Sequence, residues 1–445
     1  MIRTLREHPH APRWNHAAGD RVDREDLKEV RRFAQALDTE RGTREPGPPP
    51  PGILRRVAGW IPLVMAFRRA VPSGLDLEAD WERVPTTSRE DVATRPGELM
   101  PDGCDLSRMI AYRTAGTTGH ALLVPHDPRA VACYAPLLEF GLARHGVRAT
   151  FTADRVACFL VGAQARTVTF PTVLAAWNNA GFAKLNIRPS EWPTPDSPHA
   201  YFRDMAPFFL TGDPISYAEM KRLEIPARPA AMITTAVAMS RGLRSRLEKS
   251  FRCPVIDWYS LTETGPIAFA CARGHGYHLL PHDLHIEALD PAGRAVPPGT
   301  RGEITVTGGR NPFLPLLRYR TGDWGRLDFG RCPCGDPMPR LLDLEGRAPV
   351  IFRATDGSVV NPVDLSRVLR EFPFVQHEFA QRAAGDFSLT ARLIPGLPRP
   401  RPADIERPLR ALLGPGAEIE IRFDARLGDR TGKVTPYRSE MLLED

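Results

Sequence analysis

The sequence predicts an α/β fold, with a large, layered α/β N-terminal domain that includes a small β subdomain, and a small, mobile α+β C-terminal domain. Three observations support this prediction. The 445 residues exceed the size at which a single hydrophobic core usually stops growing. From residue 109 to residue 259, short apolar runs alternate with amphipathic helical patterns, which is typical of parallel strands joined by helices. After residue 346, strands and helices alternate again over a length that is sufficient for a separate core.

The N-terminal region is predicted to be a helical extension with a proline-rich linker. Apolar residues at helical spacing predict a helix over 23–37, and four consecutive prolines at 48–51 form a stiff break. A second helical pattern follows over 53–71, and the stretch 88–91 is typical of a capped helix start. We therefore predict three domains, over residues 1–52, 53–345 and 346–445.

A glycine- and threonine-rich loop from Thr114 to Gly119 lies between predicted strands over 109–112 and 122–124. Glycines let the backbone approach a ligand closely, and hydroxyls with backbone N–H groups can surround a phosphate. The next helix starts only at 127–128, so the loop differs from a Walker A site, which leads directly into a helix and ends in Gly-Lys-Ser/Thr. On its own, this stretch fits either a phosphate-binding loop or an ordinary polar turn.

The remaining elements are predicted from apolar periodicity and turn residues. The large domain continues with a helix over 130–145, a strand over 155–161, a polar loop over 162–167, a helix from Pro171, strands over 208–212, 231–235 and 254–259, and a helix capped by Ser240. Short strands over 285–289 and 302–307 indicate the β subdomain. The C-terminal domain is predicted to contain helices over 363–372 and 403–413 and a strand over 418–423, with further strands between them.

Composition and charge argue against several functions. The chain is 42% hydrophobic and 25% charged, with a formal net charge of +6 and a pI of about 9.0. Its positive charge is scattered arginine interleaved with acids, without a basic block that would bind nucleic acid. The best apolar run, over 57–67, is too short to span a membrane, and the first residues lack a secretory signal. Seven cysteines that include one close pair favour a reducing compartment, so we expect a cytoplasmic protein.

Further stretches carry side chains that suit a nucleotide. Tyr259, Thr262 and Glu263 follow a predicted strand and offer an aromatic face, a hydroxyl and a carboxylate, which suit a base, a phosphate and a hard cation. Asp323 follows a glycine turn, and its carboxylate is suited to ribose hydroxyls. A Gly-Arg pair at 346–347 and a late Thr-Gly-Lys loop that ends at Lys433 complete the set. Taken singly, each stretch is also explained by ordinary turn chemistry.

The joint order of these stretches resembles the adenylate-forming (AMP-binding) superfamily, which includes acyl- and aryl-CoA ligases, peptide-synthetase adenylation domains and luciferases. The resemblance covers about residues 105–440 and is closest to the phenylacetate–CoA ligase-like branch. It is carried by Thr-Ala-Gly-Thr-Thr-Gly at 114–119, Trp-Tyr-Ser-Leu-Thr-Glu-Thr-Gly at 258–265, Tyr-Arg-Thr-Gly-Asp at 319–323, Cys-Pro-Cys-Gly at 332–335, Gly-Arg at 346–347 and Gly-Lys at 432–433.

The resemblance implies that ATP and Mg²⁺ serve to activate an acid as its acyl-AMP. Lys433 would bridge the attacking oxygen and the α-phosphate, Thr262 would contact that phosphate, and Glu263 would ligate Mg²⁺. The other phosphates would be held by Thr114, Gly116, Thr117, Thr118 and Gly119. Adenine and ribose would be bound by Val237, Tyr259, Asp323 and Arg347. The acid pocket would be lined by the 162–167 loop, with Gln164 and Arg166, and by the helix after that loop.

Departures from the family pattern leave the second substrate open. His120 follows the loop where a lysine or proline is common, Ser260 replaces a glycine, and the Gly-Gly-Glu patch beside the adenine is replaced around Val237. Pro349 stands near the position of the hinge aspartate and restricts the residue before it. The domain rotation that admits CoA is therefore expected to be hindered or to use another pivot. Gln164 and Arg166 suit a polar or anionic acid, although an arginine is most often simply exposed.

Four further residues suggest a metal site. Cys332 and Cys334 form a close thiolate pair, and Cys271 with His278 offers another sulfur and an imidazole nitrogen, with His275 as the alternative. Three sulfurs and one nitrogen satisfy tetrahedral Zn²⁺ without an open position, which indicates a structural site. Members of the resembling branch are similar in carrying zinc here. Reduced, buried cysteines are the alternative interpretation.

Three functions are compatible with the motifs. The first is an ATP-dependent ligase that transfers a small aromatic or polar acid to CoA. The second uses the same adenylation with an amine acceptor, either as an amide ligase or as an enzyme that activates nitrite to diazotise an aryl amine in a bacterial biosynthetic pathway. The third is a non-catalytic nucleotide-binding relative, which the presence of Lys433, Glu263 and Asp323 disfavours. All three imply small-molecule partners without nucleic acid or membrane, in a monomer or homodimer.

Overall fold

The computed structural model describes most of the chain, and four stretches of the predicted site fall in its gaps. It describes residues 1–445 except 18, 20, 38–44, 114–121, 236–238, 240, 282, 346–349, 370, 394–396, 428–436 and 442–445. The predicted site residues that lie outside the described part are Thr114, Gly116, Thr117, Thr118, Gly119, Val237, Arg347 and Lys433. His120, Ser240 and Pro349 lie outside it as well.

Short helices dominate the first hundred residues. They are α1 (Ile2–Glu7), α2 (Arg24–Ala36), α3 (Pro51–Trp60), α4 (Met65–Ala70), α5 (Arg89–Thr94) and α6 (Pro96–Leu99), with a two-residue strand β1 (Thr87–Ser88) before α5. α2 and α5 begin at the predicted residues, each with a capping box. The single helix expected over 53–71 is instead two helices, because Pro62 lies between them and cannot continue an α-helix.

A two-stranded antiparallel sheet flanks the predicted phosphate loop. It consists of β2 (Ile110–Arg113) and β3 (Leu123–His126), as the strand–loop–strand prediction requires. Asp127 then caps α7 (Pro128–Ala132), which is followed by α8 (Tyr134–Arg144). The single helix predicted over 130–145 is broken at Cys133, because Pro136 lacks an N–H and its ring would clash with the preceding turn.

The centre of the large domain is a mostly parallel sheet. Its strands are β4 (Val156–Gly162), β5 (Phe170–Leu174), β6 (Ala180–Asn186), β7 (Phe209–Gly212), β8 (Ala231–Thr234) and β9 (Val255–Leu261), in the order β5-β6-β4-β7-β8-β9. Its helices are α9 (Ser197–Met205), α10 (Pro214–Arg222) and α11 (Arg241–Phe251). The parallel pairings from β6 to β9 confirm the predicted α/β layering.

The helix predicted from Pro171 is wrong. Residues 170–174 form β5, which pairs antiparallel with β6 at the edge of the sheet. The stretch is rich in β-branched and aromatic residues, which favour a strand. A proline is tolerated there because an edge strand does not need every N–H for pairing.

The β subdomain extends the same sheet. β10 (Gly265–Ala270) turns back antiparallel on β9, and the sheet continues through β11 (Tyr277–Leu279), β15 (Arg340–Glu345), β14 (Leu316–Asp328), β13 (Arg301–Gly308) and β12 (Leu284–Leu289). The predicted short strands are therefore present, but they continue the large sheet through the β9–β10 hairpin. The turn after β9 also contacts β14, through the hydrogen bond from Tyr319 to Glu263.

The C-terminal part has its own sheet and its own core. It contains β16 (Phe352–Arg353), β17 (Val359–Val360), α12 (Pro362–Leu369), β18 (Phe374–Gln381), β19 (Phe387–Leu393), α13 (Pro402–Leu413), β20 (Ile419–Phe423) and β21 (Tyr437–Ser439). The sheet order is β20-β19-β18-β21. Phe352, Leu365, Phe379 and Leu409 belong to one buried cluster, drawn from residues after 350. Among the described residues, no helix is both long and apolar enough to cross a membrane.

Candidate active site

The β9–β10 hairpin presents three of the predicted site residues. Tyr259 lies within β9, and Thr262 and Glu263 form the turn that follows it. Gly265 closes this turn with φ of +73°, and a Cβ there would come within 2.3 Å of the Tyr134 ring. Only glycine fits both constraints. The glycine therefore fixes the tight return of the chain that leaves Thr262 exposed beside the buried Glu263.

Tyr259 and Asp323 are brought together by the sheet. The hydroxyl of Tyr259 donates a hydrogen bond of 3.0 Å to Oδ2 of Asp323. Burial, and then the nearby Asp323 carboxylate, hold the pKa of Tyr259 well above its ordinary value. The hydroxyl is therefore protonated at neutral pH and acts as a donor. An aromatic ring and a carboxylate at hydrogen-bonding distance suit a nucleoside, which offers a flat base and two ribose hydroxyls.

Glu263 is held by two donors that the sequence did not reveal. Arg89 at the start of α5 donates from Nη1 to Oε1 of Glu263 at 3.1 Å, and the hydroxyl of Tyr319 on β14 donates to the same oxygen at 2.6 Å. Tyr319 belongs to the Tyr-Arg-Thr-Gly-Asp motif, in which the sequence points to a role only for the aspartate. Arg89 lies in a stretch that the sequence marks only as a capped helix start. Both residues stood in noted motifs, but no pattern in the sequence connects either of them with Glu263.

Thr262 is tied to the strand that follows the predicted phosphate loop. Nε2 of His126, at the end of β3, lies 2.7 Å from the carbonyl oxygen of Thr262. Burial lowers the pKa of His126 to about 4, so the ring is neutral near pH 7. Because a carbonyl only accepts hydrogen bonds, Nε2 must carry the proton. The β2–β3 hairpin and the turn at Thr262 therefore form one hydrogen-bonded unit.

The predicted acid-pocket loop is fixed by its backbone. Ala163 donates to Oγ of Ser216 at 3.0 Å, and the carbonyl of Gln164 accepts from Asn186 at 2.7 Å. The side chain of Gln164 is half-buried and that of Arg166 is exposed. The helix expected as the second wall of this pocket is wrong, because β5 follows the loop instead. No contact among the described residues joins Gln164 or Arg166 to Tyr259, Glu263 or Asp323.

The C-terminal part contacts the same loop. Asp364 of α12 accepts from the backbone N–H of Ala165 at 2.7 Å, and Arg367 donates to the carbonyl of Arg166. Arg367 also pairs with Asp364 at 3.1 Å. Burial raises the pKa of Asp364, while the hydrogen bond from Ala165 opposes that shift. This contact fixes where α12 stands against the large domain.

The four predicted zinc ligands converge. The ligand atoms of Cys271, His278, Cys332 and Cys334 all lie within 4.8 Å of one another. Sγ of Cys271 and Sγ of Cys332 are 3.9 Å apart, close to the roughly 3.8 Å between thiolates on one tetrahedral Zn²⁺. Nε2 of His278 is 3.3 Å from Sγ of Cys334. The donor set and the separations fit a structural zinc ion.

The surroundings of this cluster also suit a metal. Nδ1 of His278 lies 3.3 Å from the carbonyl of Met338, which leaves Nε2 free to face the sulfurs. Backbone N–H groups of Arg273 and Asp336 point at Sγ of Cys271 and Sγ of Cys334, each at 3.4 Å. Such outer contacts orient metal ligands and stabilise thiolate charge. His275, the alternative ligand, is not among these four residues.

Comparison with known proteins agrees with this geometry. The sequence matches no protein-family model. It is 23% identical to a phenylacetate–coenzyme A ligase of Thermus thermophilus over 345 residues, which are 72% of this chain and 74% of that protein. A second phenylacetate–coenzyme A ligase, from Aromatoleum evansii, is 28% identical over 137 residues, 29% of this chain and 30% of that protein. These matches support the predicted resemblance to the adenylate-forming superfamily and to its phenylacetate–CoA ligase-like branch.

The fold of this AMP-forming ligase agrees with solved structures. A 2-hydroxyisobutyryl-CoA ligase in complex with 2-HIB-AMP and CoA superimposes with a TM-score of 0.53 at 18% identity, covering 95% of this chain and 90% of that one. An open conformation of that ligase, also with 2-HIB-AMP and CoA, gives a TM-score of 0.52 at 16% identity, covering 87% and 90%. At these identities the likeness shows the fold, and it confirms the predicted fold class.

Proposed function

We propose that this enzyme activates a small aromatic or polar carboxylic acid as its acyl-AMP, releases pyrophosphate, and transfers the acyl group to CoA. The observation that carries the proposal is the convergence of Tyr259, Glu263 and Asp323, joined through Tyr319 and the β9–β10 hairpin. An aromatic face, a carboxylate for a cation and a carboxylate for ribose together match the parts of ATP. The match to a phenylacetate–coenzyme A ligase over most of both chains supports the same reaction.

The proposed reaction has two steps, adenylation and thioester formation. A carboxylate oxygen of the acid attacks the α-phosphorus, and the bond to the pyrophosphate oxygen breaks. The CoA sulfur then attacks the acyl carbon, and AMP leaves. In the first step Lys433 would stabilise the growing charge at the α-phosphate, and Thr262 would contact it. The phosphate loop would comprise Thr114, Gly116, Thr117, Thr118 and Gly119, and the nucleoside would be held by Val237, Tyr259, Asp323 and Arg347.

Glu263 fits the role of a Mg²⁺ ligand. Arg89 and Tyr319 both donate to Oε1, and no described residue donates to Oε2. Mg²⁺ in nucleotide sites is usually bound by one or two carboxylates together with phosphate oxygens. When bound, the metal would neutralise phosphate charge. Glu263 would orient it, and Tyr319 would hold the carboxylate in place.

The second candidate function is the same adenylation with an amine acceptor. This covers an amide ligase and an enzyme that activates nitrite to diazotise an aryl amine. Pro349 favours it, since a proline near the hinge hinders the rotation that would admit CoA. The exposed Arg166 would suit an anionic substrate near the 162–167 loop, as would Gln164.

Further proposals concern the setting of the reaction. We assign residues 1–52, 53–345 and 346–445 to an extension, a large domain and a lid, which the separate core after residue 350 supports. The seven free thiols suit the cytoplasm. The cluster of Cys271, His278, Cys332 and Cys334 would hold a structural zinc ion that takes no part in the reaction. The partners would be small molecules, with the enzyme as a monomer or homodimer.

A release assay would test the function. Pyrophosphate and AMP formation are measured with ATP and a panel of carboxylic acids and nitrite, each with CoA or with amines. We expect turnover with an acid to be stimulated by CoA. Turnover that needs nitrite and an aryl amine would favour the second candidate. Lys433→Ala should slow AMP formation by orders of magnitude. Unchanged AMP formation in that variant would overturn the assignment of Lys433.

A further inference from the structure

Arg89 is held beside the candidate active site by strand pairing. β1, immediately before it, pairs in parallel with β14, with Thr87 opposite Tyr319 and Ser88 opposite Arg320. Oγ1 of Thr87 donates to the carbonyl of Leu317 at 2.8 Å. The capping box of Ser88 fixes the first turn of α5, of which Arg89 is the first residue. The same strand that presents Tyr319 and Asp323 therefore also fixes the backbone of Arg89.

The contacts of Arg89 use only part of its donor capacity. One N–H, on Nη1, goes to Oε1 of Glu263 at 3.1 Å. Nε is buried without a hydrogen-bond partner among the described residues. The side chain is 30% exposed, whereas that of Glu263 is 2% exposed. An arginine that pairs with a buried carboxylate often forms a bidentate salt bridge, with two parallel N–H···O hydrogen bonds. Arg89 instead forms one hydrogen bond to Glu263, and part of its side chain is open to solvent.

We propose that Arg89 is a further catalytic residue, which binds a phosphate oxygen of the ATP–metal complex at Glu263. The inference rests on the proposed function. Arg89 and Tyr319 share Oε1, which leaves Oε2 for a cation, so one carboxylate can serve the guanidinium and the metal together. A triphosphate carries more charge than one cation offsets, and planar guanidinium groups are well suited to phosphate oxygens. As pyrophosphate departs, the guanidinium would stabilise the charge that builds on it.

Equilibrium binding tests this role without turnover. Titration calorimetry in the presence of Mg²⁺ measures the affinity of the enzyme for a non-hydrolysable ATP analogue. A separate titration measures its affinity for adenosine, which has no phosphates. Arg89→Ala loses one charge-assisted hydrogen bond, so its affinity for the analogue should be about tenfold to a hundredfold weaker than that of wild type. Adenosine affinity should stay within about twofold, because Tyr259 and Asp323 are untouched. Arg89→Lys keeps the charge but loses the planar guanidinium, so its affinity for the analogue should lie between those of wild type and Arg89→Ala.

Two matched variants separate this role from support of Glu263. Tyr319→Phe removes the other donor to Oε1. If Arg89 only supports Glu263, Tyr319→Phe and Arg89→Ala should lose equal affinity for the analogue. We expect the loss to be clearly greater in Arg89→Ala. Arg95→Ala, at the other end of α5 and paired with Asp91 and Glu98, should bind like wild type.

The outcomes distinguish this inference from the function on which it depends. If wild type binds the analogue and Arg89→Ala binds it equally well, the role of Arg89 is wrong and the proposed function stands. Equal losses of the analogue and adenosine in Arg89→Ala would also overturn it, because the defect would then lie in the shape of the site. If wild type binds neither ligand, the proposed function itself fails. Should Arg89→Ala not fold, Arg89→Lys and Arg89→Gln carry the same comparison.

Discussion

At the residue scale, the site is built from pairs that lie far apart in the sequence. Tyr259 is held by Asp323, Glu263 by Arg89 and Tyr319, and the carbonyl of Thr262 by His126. Each pair satisfies a polar group that burial would otherwise penalise. Tyr259, Thr262 and Glu263 are thus held in place by their neighbours before any ligand arrives.

His126 gives a pH-dependent prediction at this scale. Its pKa of about 4 lies below the value of about 6.5 for an unfolded histidine, so protonation opposes folding. The contribution of the neutral ring is fully present above about pH 6.5 and is lost as the pH falls through about 4. From about pH 7.5 to about pH 5, this group alone should lower the free energy of unfolding by about 2 kcal/mol.

The His126→Gln variant should lack this part of the pH dependence. Glutamine can still donate an N–H to Thr262, but it does not titrate. Urea unfolding of wild type and variant at both pH values provides the comparison. His16→Gln, at an exposed histidine, serves as the control and should keep the slope of wild type. A variant at residue 126 with the full wild-type slope would contradict the assignment of a depressed pKa.

At the scale of elements, the cysteine cluster joins the ends of three neighbouring strands, β10, β11 and β15. Cys271 lies just after β10, His278 lies on β11, and Cys332 and Cys334 precede β15. β11 is only three residues long, so its ladder contributes few hydrogen bonds. A metal ion at the cluster would fix these elements by closing the loops between them.

Zinc analysis tests the cluster. Protein purified without added metal should contain about one zinc ion per chain, because three thiolates and an imidazole bind it tightly. Cys334→Ser should lower the zinc content and reduce the thermal midpoint by at least about 5 °C. Cys104→Ser, at a half-buried cysteine outside the cluster, should change neither. A zinc content near zero in wild type would rule out a structural zinc ion.

At the scale of the whole molecule, α12 links the C-terminal part to the predicted acid-pocket loop. Asp364 accepts from Ala165, Arg367 donates to Arg166, and Ile215 packs against Ile351 and Val359. The polar contacts are made to backbone groups of the loop, so they depend on its conformation. A change in the conformation of the 162–167 loop would therefore alter the contacts of Asp364 and Arg367 that hold the C-terminal part.

Removal of the carboxylate should loosen this contact. Asp364→Ala leaves the N–H of Ala165 without its acceptor and costs about 1–3 kcal/mol at the contact. Hydrogen exchange at Ala165 should accelerate about tenfold or more, as local opening becomes easier. Asp404→Ala, at a half-buried aspartate of α13 that pairs with Arg401 and Arg407, should leave the exchange unchanged. Unchanged exchange in Asp364→Ala would show that Asp364 does not hold the loop.

The class of fold and the resemblance to the adenylate-forming superfamily could be predicted from the sequence alone. Alternating apolar runs predicted the parallel strands β4 and β7–β9, because local periodicity reflects burial on a sheet. The capping boxes of α2 and α5 were readable because a cap is formed by residues three apart. The sequence predicted Cys271, His278, Cys332 and Cys334 as metal ligands with His275 as an alternative, and the structure brings the ligand atoms of those four together.

Which of these residues meet depends on the tertiary structure. The composition of residues 170–174 favours a strand, but their pairing with β6 at the edge of the sheet is a long-range contact that no local pattern reveals. Arg89 reached Glu263 because β1 pairs with β14 across more than two hundred residues of chain. Hydrogen bonds between distant segments depend on the register of the sheet, and a single sequence does not encode that register in any short motif. The residue types can be identified in the sequence, but strand pairing determines which of them come into contact.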